Sequence, residues 1–226
     1  MKYYIIAGEA SGDLHGSNLM KCLKERDSSA VFRYWGGDLM YSQGGELVKH
    51  IESLAFMGFK EVLMNIRTIK RNFELCYADL LNFSPDVLIL IDYPGFNLKV
   101  AEFAFKHEIK VFYYISPQIW AWKQSRIKKI KKFVNRMFVI LPFEKDFYGR
   151  FDFPVDYVGH PLLDAIQEQL DISSDFNLFI RSNDLERKKI IALLPGSRKQ
   201  EIQLKLPVML SITEHFDDEY QFVIAA

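Results

Sequence analysis

The chain has 226 residues and sets 29 Lys and Arg against 29 Asp and Glu, so no net field draws it to nucleic acid or any other polyanion. That length admits one large or two small domains with a substantial core. Cys22 and Cys76 fall in helix-like stretches without metal-ligand spacing and fit a reducing compartment. No apolar run approaches the roughly 20 residues that span a bilayer, and Met1–Ala7 reads as too short for a signal-peptide core, so a cytoplasmic location is expected.

Lys2 to Ala7 predicts a buried strand, followed by the turn Gly8-Glu9-Ala10-Ser11-Gly12-Asp13 and a helix to about Arg26. Strand, Gly-rich turn and helix is the order that aims backbone N–H groups at a phosphate. The glycines match neither the dinucleotide nor the P-loop spacing, which leaves a plain tight turn as the other reading. Glu9 suits a hydroxyl or an amide better than an anion. Val31 to Trp35 predicts a second strand, and the pairs Gly36-Gly37 and Gly44-Gly45 mark breaks. A helix is then predicted with apolar residues at Phe59, Val62, Leu63, Ile66, Ile69 and Phe73 on one stripe. Lys60, Arg67, Lys70 and Arg71 lie around it. Such a stripe either faces the core or enters an anionic membrane interface.

The most informative stretch is Ser84-Pro85-Asp86 followed by the aliphatic run Val87–Ile91, which stops on Asp92 ahead of Pro94-Gly95. An unbroken aliphatic run suits a strand covered on both faces, as in the middle of a parallel sheet. Ligands collect at the carboxyl ends of such strands, which makes Asp92 a candidate for chemistry. The alternative is that Asp92 caps the next helix, expected from about Leu98 to His107, or orders the Pro-Gly turn.

Lys110 to Ile115 predicts a further strand, closed by Ser116-Pro117-Gln118-Ile119-Trp120-Ala121-Trp122. The two tryptophans either pack beneath a loop or line an apolar pocket. Lys123 to Arg136 carries seven basic residues and no acidic one, with Ile127, Ile130, Val134 and Met137 at helical spacing. It reads as a solvated helix face or as a surface for phosphate-bearing lipid. Met137–Leu141 and Val155–Val158 predict strands, with a short helix opened by Pro142 between them. His160 follows as a ligand-orienting or a structural histidine. After a polar connection with one short helix, Ile190–Leu194 starts a new strand that runs into Pro195-Gly196-Ser197-Arg198-Lys199. N–H groups, a helix dipole and a guanidinium there suit a diphosphate, against a plain turn. Tyr220–Ile224 is a last strand, and two strands with one helix do not close a core.

In chain order, Ala7-Gly8-Glu9-Ala10-Ser11-Gly12-Asp13, Met57-Gly58-Phe59 with Glu61-Val62-Leu63, Pro85-Asp86-Val87, and Ile91-Asp92-Tyr93-Pro94-Gly95-Phe96-Asn97 form one set of motifs. Tyr114 to Lys123, Leu141-Pro142-Phe143-Glu144, Val158-Gly159-His160-Pro161 and Leu193 to Arg198 complete it. The set resembles the lipid-A-disaccharide synthase family, inverting glycosyltransferases built from two Rossmann-type domains (the GT-B fold). The resemblance implies an α/β fold with an N-terminal Rossmann-like domain over residues 1–172, a linker over 173–188 and the first β-α-β part of a nucleotide-sugar domain over 189–226. It also implies that most of the C-terminal domain is missing, so that activity would need that half. The implied reaction joins UDP-2,3-diacylglucosamine to 2,3-diacylglucosamine 1-phosphate through a β-1,6 linkage and releases UDP.

In that scheme Asp92 is the general base. Gly8, Glu9, Ser11, Gly12, Asn97, Ser116, Gln118, Gly196, Ser197 and Arg198 bind substrate. Phe59, Val62, Leu63, Ile66, Ile69, Lys70 and Arg71 touch the inner membrane from the cytoplasmic side. No metal or cofactor is implied beyond the UDP-sugar donor, and no nucleic acid. Self-association or the absent C-terminal half are the protein partners left open. A UDP-sugar 2-epimerase, another glycosyltransferase of the same fold, and a non-catalytic fragment that binds lipid or UDP-sugar are the alternatives.

Overall fold

Seven short segments, apolar and buried at the centre and polar at the edges β3 and β7, line up as parallel strands. The computed structural model describes residues 1–54, 66–170, 175–196 and 199–225. The strands are β1 (Lys2–Ala7), β2 (Val31–Gly36), β3 (Glu46–His50), β4 (Val87–Ile91), β5 (Val111–Tyr114), β6 (Arg136–Val139) and β7 (Asp156–Tyr157). They hydrogen-bond in the order β3-β2-β1-β4-β5-β6-β7, every pair parallel. The order runs one way from β1 and the other way from β4, so the topological switch point lies between these two strands.

Alternate residues of β1 and β4 enter different cores. Tyr4, Ile6, Leu88 and Leu90 join one cluster, while Tyr3, Ile5, Val87, Ile89 and Ile91 join the other. This two-sided burial is why neither strand shows polar alternation. The first cluster is covered by α3 (Ile66–Phe83), α4 (Pro94–Lys106), α5 (Ile127–Phe133) and α6 (Pro142–Gly149). Met20 and Met40, from α1 (Ala10–Arg26) and α2 (Asp38–Ser42), cover the second. Polar groups within the first layer are chained together. Trp35 Nε1 donates to Tyr4 Oη (2.9 Å), which donates to Asp79 Oδ2 (2.7 Å), and Arg33 pairs with Asp79 at 2.6 Å.

Several boundaries differ from expectation. Helix α3 runs on to Phe83, and α4 begins at Pro94, because proline fits the first helical position and the Pro-Gly pair is the helix start. The basic segment is not one helix. A 3₁₀ turn (Gln124–Arg126) leads into α5, and Asn135 then pulls the chain into the sheet by accepting Val111 N–H (2.7 Å) and donating its own N–H to Val111 O (2.9 Å). Of its cations, Lys129 pairs with Glu102 and Arg136 with Asp156. Elements β3 and α2 went unpredicted, as did α7 (Leu162–Leu170).

The chain divides into two compact units, Met1–Leu162 and Leu163–Ala226. Beyond α8 (Phe176–Ser182), the second unit holds β8 (Lys189–Leu193) and β9 (Tyr220–Ile224) as a parallel pair, with α9 (Lys199–Leu210) between them in sequence. Among its described large apolar residues, Ile180 and Leu193 are buried, while Phe176, Leu178, Leu204 and Val208 are exposed. No helix of the described residues is long and apolar enough to cross a membrane. Hydrogen exchange should follow this contrast. Amides of β1 and β4 are expected to exchange at least ~100-fold more slowly than those of β8 and β9; equal protection would contradict the burial pattern.

Candidate active site

The carboxyl ends of β1 and β4 stand side by side at the switch point, and each is closed by an unusual backbone. After Ile91 the chain turns through Asp92 (φ 41°) and Tyr93 (φ 46°), two consecutive left-handed residues without glycine. Each costs about 1 kcal/mol or more and persists only where the surroundings over-determine it. Here they do. Asp92 N donates to Ile115 O (3.3 Å), and Asp92 O accepts from Tyr113 Oη (2.5 Å) and from Asn97 Nδ2 (2.7 Å). Asn97 Nδ2 also reaches Ile91 O (3.2 Å), while Phe96 N and Asn97 N donate to Tyr93 O and start α4.

Tyr93, not Asp92, holds the N-cap position of α4, and no side chain caps that helix. The capping alternative for Asp92 therefore falls. Its half-buried carboxyl is raised to about 6, first by burial and then by the charge of Glu9. The Tyr93 N–H and Arg126 pull the other way. A carboxylate tuned into this range can take a proton near neutral pH and return it.

Gly8 lies against the face of the Tyr93 ring, where any Cβ would collide with ring carbons. That contact joins the first turn to the turn after β4 and brings Glu9 near Asp92. Glu9 is extended at the N-cap of α1, and its carbonyl accepts Asp13 N–H (2.9 Å). Ser11 is exposed, whereas Gly12 is buried against Ala7 and lets α1 close on β1. Asp13, in the same motif, serves the fold: its carboxylate accepts N–H groups of Gly37 (2.7 Å), Leu39 (3.0 Å) and Met40 (3.0 Å) at the start of α2. His15 is held below the usual histidine range by burial and by His160. His160 Nδ1 accepts Leu162 N–H (3.2 Å), which favours its structural reading.

Two expected substrate contacts prove to lie beneath the site. Asn97 is 0% exposed and spends its Nδ2 on the backbone carbonyls of Ile91 and Asp92, while its buried Oδ1 accepts no hydrogen bond among the described residues. Ser116 is buried too, and donates to Glu144, whose other oxygen accepts Ile140 N–H (3.2 Å) and Leu141 N–H (2.9 Å). It ties the end of β5 to the start of α6. Gln118 is exposed on the loop beyond. Trp120 packs edge-on against Phe143 (centroids 5.0 Å), while Trp122 is open to solvent. In the second unit Gly196 has φ 112° and the carboxylate of Glu201, from the first turn of α9, lies over it. Ser197 and Arg198 fall outside the described residues, as do Phe59, Val62 and Leu63. Ile66 is 61% exposed, Ile69 is half-buried, and Lys70 and Arg71 are exposed. Arg126, whose charge acts on Asp92, is one of the seven cations of its segment and stands out among them by lying, with Lys123, over the Trp122 ring.

The fold defines a Rossmann-type α/β protein of the GT-B class, with the half-buried carboxylate of Asp92 at its switch point. Among solved structures, the UDP-GlcNAc 2-epimerase of Neisseria meningitidis bound to UDP-GlcNAc aligns with a TM-score of 0.66 at 13% identity, covering 99% of this chain and 65% of that one. The UDP-GlcNAc 2-epimerase of Methanocaldococcus jannaschii aligns at 0.61 and 14%, covering 100% and 66%. These are likenesses of fold. The chain belongs to the lipid-A-disaccharide synthetase family, whose model matches residues 3–224. It is 44% identical to the lipid-A-disaccharide synthase of Trichlorobacter lovleyi over 91% of this chain and 53% of the relative. It is 44% identical to that of Coxiella burnetii over 91% and 54%. The chain thus spans about half the length of the curated relatives it matches.

The raised pKa of Asp92 is also a statement about stability. The folded state holds its proton more tightly than the unfolded state, so Asp92 contributes nothing unfavourable below pH ~4 and costs stability as pH rises through about 6. Asp92→Asn is therefore expected to stabilise the protein by roughly 2 kcal/mol at pH 8 after allowance for solvent screening, and by nothing at pH 3.5. Urea unfolding at both pH values measures this, and a variant less stable than wild type at pH 8 would contradict it.

Proposed function

We propose that this chain carries the acceptor-activating half of a lipid-A-disaccharide synthase. The observation that carries the proposal is Asp92, a carboxylate at the switch point with raised basicity and no role in capping the helix beside it. In this reading the acceptor is 2,3-diacylglucosamine 1-phosphate and the donor is UDP-2,3-diacylglucosamine. The acceptor 6-hydroxyl is a poor nucleophile. Asp92 takes its proton as the oxygen bonds to the anomeric carbon of the donor, the bond from that carbon to UDP breaks, and configuration inverts. Glu9 keeps the neighbouring carboxylate basic, and Asn97 with Tyr113 fixes the backbone from which it projects. The turn at Gly196, Ser197 and Arg198 is assigned to the departing diphosphate, where N–H groups and a guanidinium offset its growing charge. The pairing of amphiphilic substrates with the exposed Ile66 supports a peripheral seat on the inner membrane, with Phe59, Val62, Leu63, Ile69, Lys70 and Arg71 in the same contact.

In a protein of the relatives' full length that carries this segment, Asp92→Ala is expected to lower kcat by about 10²–10⁴-fold with little change in KM. Wild-type kcat/KM should rise with pH through about 6, since the base works ionised. An unchanged kcat, or turnover of unacylated UDP-sugars in place of acylated ones, would sink the assignment.

Membrane contact has its own test. Serine at Val62, Leu63 and Ile66 together should abolish co-sedimentation with anionic phospholipid vesicles while leaving the far-UV circular dichroism intact. Loss of the folded signal would show instead that the stripe is core.

A further inference from the structure

We propose that Arg126 holds the phosphate of the sugar acceptor beside Asp92 and so selects for a phosphorylated acceptor. The inference rests on the glycosyl-transfer reading above and adds to it a residue that sequence reasoning had counted only as one of a basic run.

Four observations converge on this side chain. The first is its place. Tyr113 Oη and Ile115 O, at the end of β5, grip the backbone of Asp92, and the segment that leaves β5 at this carboxyl edge of the sheet ends in the 3₁₀ turn Gln124–Arg126 before α5 begins. The positive charge of Arg126 acts on both Asp92 and Tyr113.

The second is that the charge is not used up. Among the described residues no carboxylate lies within ion-pair distance of Arg126, whereas Lys129 and Arg136 of the same segment are tied to Glu102 and Asp156.

The third is its mounting. The guanidinium lies 5.0 Å from the ring centroid of Trp122, an indole that is 55% exposed, and Lys123 Nζ lies 4.6 Å from the same ring. Stacking on an aromatic ring restrains a guanidinium while leaving its in-plane N–H groups free to form a fork, the geometry that matches phosphate oxygens.

The fourth is substrate chemistry. In a glucosamine 1-phosphate the phosphate-bearing C1 and the carbon carrying the 6-hydroxyl arm flank the ring oxygen. A hydroxyl delivered to Asp92 therefore brings the phosphate along on the same edge of the sugar ring, toward a cation whose charge acts on Asp92 without an ion pair to it.

The arrangement also couples binding to chemistry. Asp92 feels Glu9 from the N-cap of α1, Arg126 from the 3₁₀ turn, and the Tyr93 N–H from its own turn. A phosphate that neutralises Arg126 removes a positive charge that lowers the basicity of Asp92. The base is thus strengthened when the correct acceptor arrives.

The test uses the 226-residue chain. Wild type, Arg126→Gln and Arg126→Lys are titrated by calorimetry with glucosamine 1-phosphate, glucosamine, inorganic phosphate and UDP, and sedimented with anionic vesicles. Arg126→Gln is expected to weaken glucosamine 1-phosphate by about tenfold or more and leave glucosamine and vesicle binding unchanged, with Arg126→Lys intermediate. Carbon-13 NMR of Asp92 should show its titration moving to higher pH on addition of glucosamine 1-phosphate to wild type, and not in Arg126→Gln. Equal binding of glucosamine 1-phosphate by wild type and Arg126→Gln overturns the proposal, and so does loss confined to UDP or to vesicles. Failure of the transfer reading is separate: it shows as full turnover in Asp92→Ala, whatever Arg126 binds.

Discussion

The structure depends on a two-residue backbone irregularity at the switch point. Asp92 and Tyr93 both adopt left-handed conformations that ordinary side chains avoid. Neither would hold alone. Asn97, Tyr113 and Ile115 bind the Asp92 peptide units from two neighbouring elements, and the Tyr93 ring is seated on Gly8 from a third. The result turns a carboxylate away from the helix it precedes and leaves it near Glu9. Two like charges at one sheet edge destabilise the fold at neutral pH, and strain held in place in this way is found most often at functional sites.

That constraint explains the division of labour within the motifs. Of the residues in the first Gly-rich turn, Asp13 and Gly12 serve packing, Gly8 serves the Tyr93 ring, and Glu9 alone acts electrostatically on Asp92. The turn is neither a bare tight turn nor a demonstrated phosphate cradle. It is half of the frame that sets the basicity of a base on another strand. Asn97 and Ser116 play similar parts one layer below, where a buried amide and a buried hydroxyl hold loops in place.

The central strands, and the place of Asp92 at the end of one of them, were legible because a two-sided parallel sheet writes itself as aliphatic runs that stop abruptly. The last strand, Tyr220–Ile224, was also read to the residue, although none of its residues is buried. What escaped was decided by side chains distant in sequence. Asn135 ends a helical periodicity that continues through Val134 and Met137, because its amide bonds to Val111 across the sheet. Asn97 entered the expected substrate set only through the family resemblance, which does not show that its side chain is buried. Only the left-handed carbonyls in front of it, invisible in a sequence without glycine there, give it a buried use. Arg126 was hidden by company, since its neighbours share its charge but not its position.

The same topology places the apolar start of α3 relative to the base. Lys2 Nζ donates to Phe83 O (3.0 Å) and Asp86 N to Lys2 O (3.0 Å), so α3 ends at the amino edge of the sheet. An 18-residue helix spans about 27 Å, enough to cross the layer, so its other end reaches the carboxyl edge, where Asp92 lies. Phe73, lower on its stripe, stacks on Phe96 (centroids 4.5 Å), and Phe96 meets Tyr93 (5.8 Å). The stripe is thus core along its middle and exposed at Ile66. A helix antiparallel to the strands brings its first turn beside the strand end that its last turn feeds, and on the proposed function that sets the exposed Ile66 and the proposed base on one edge of the sheet.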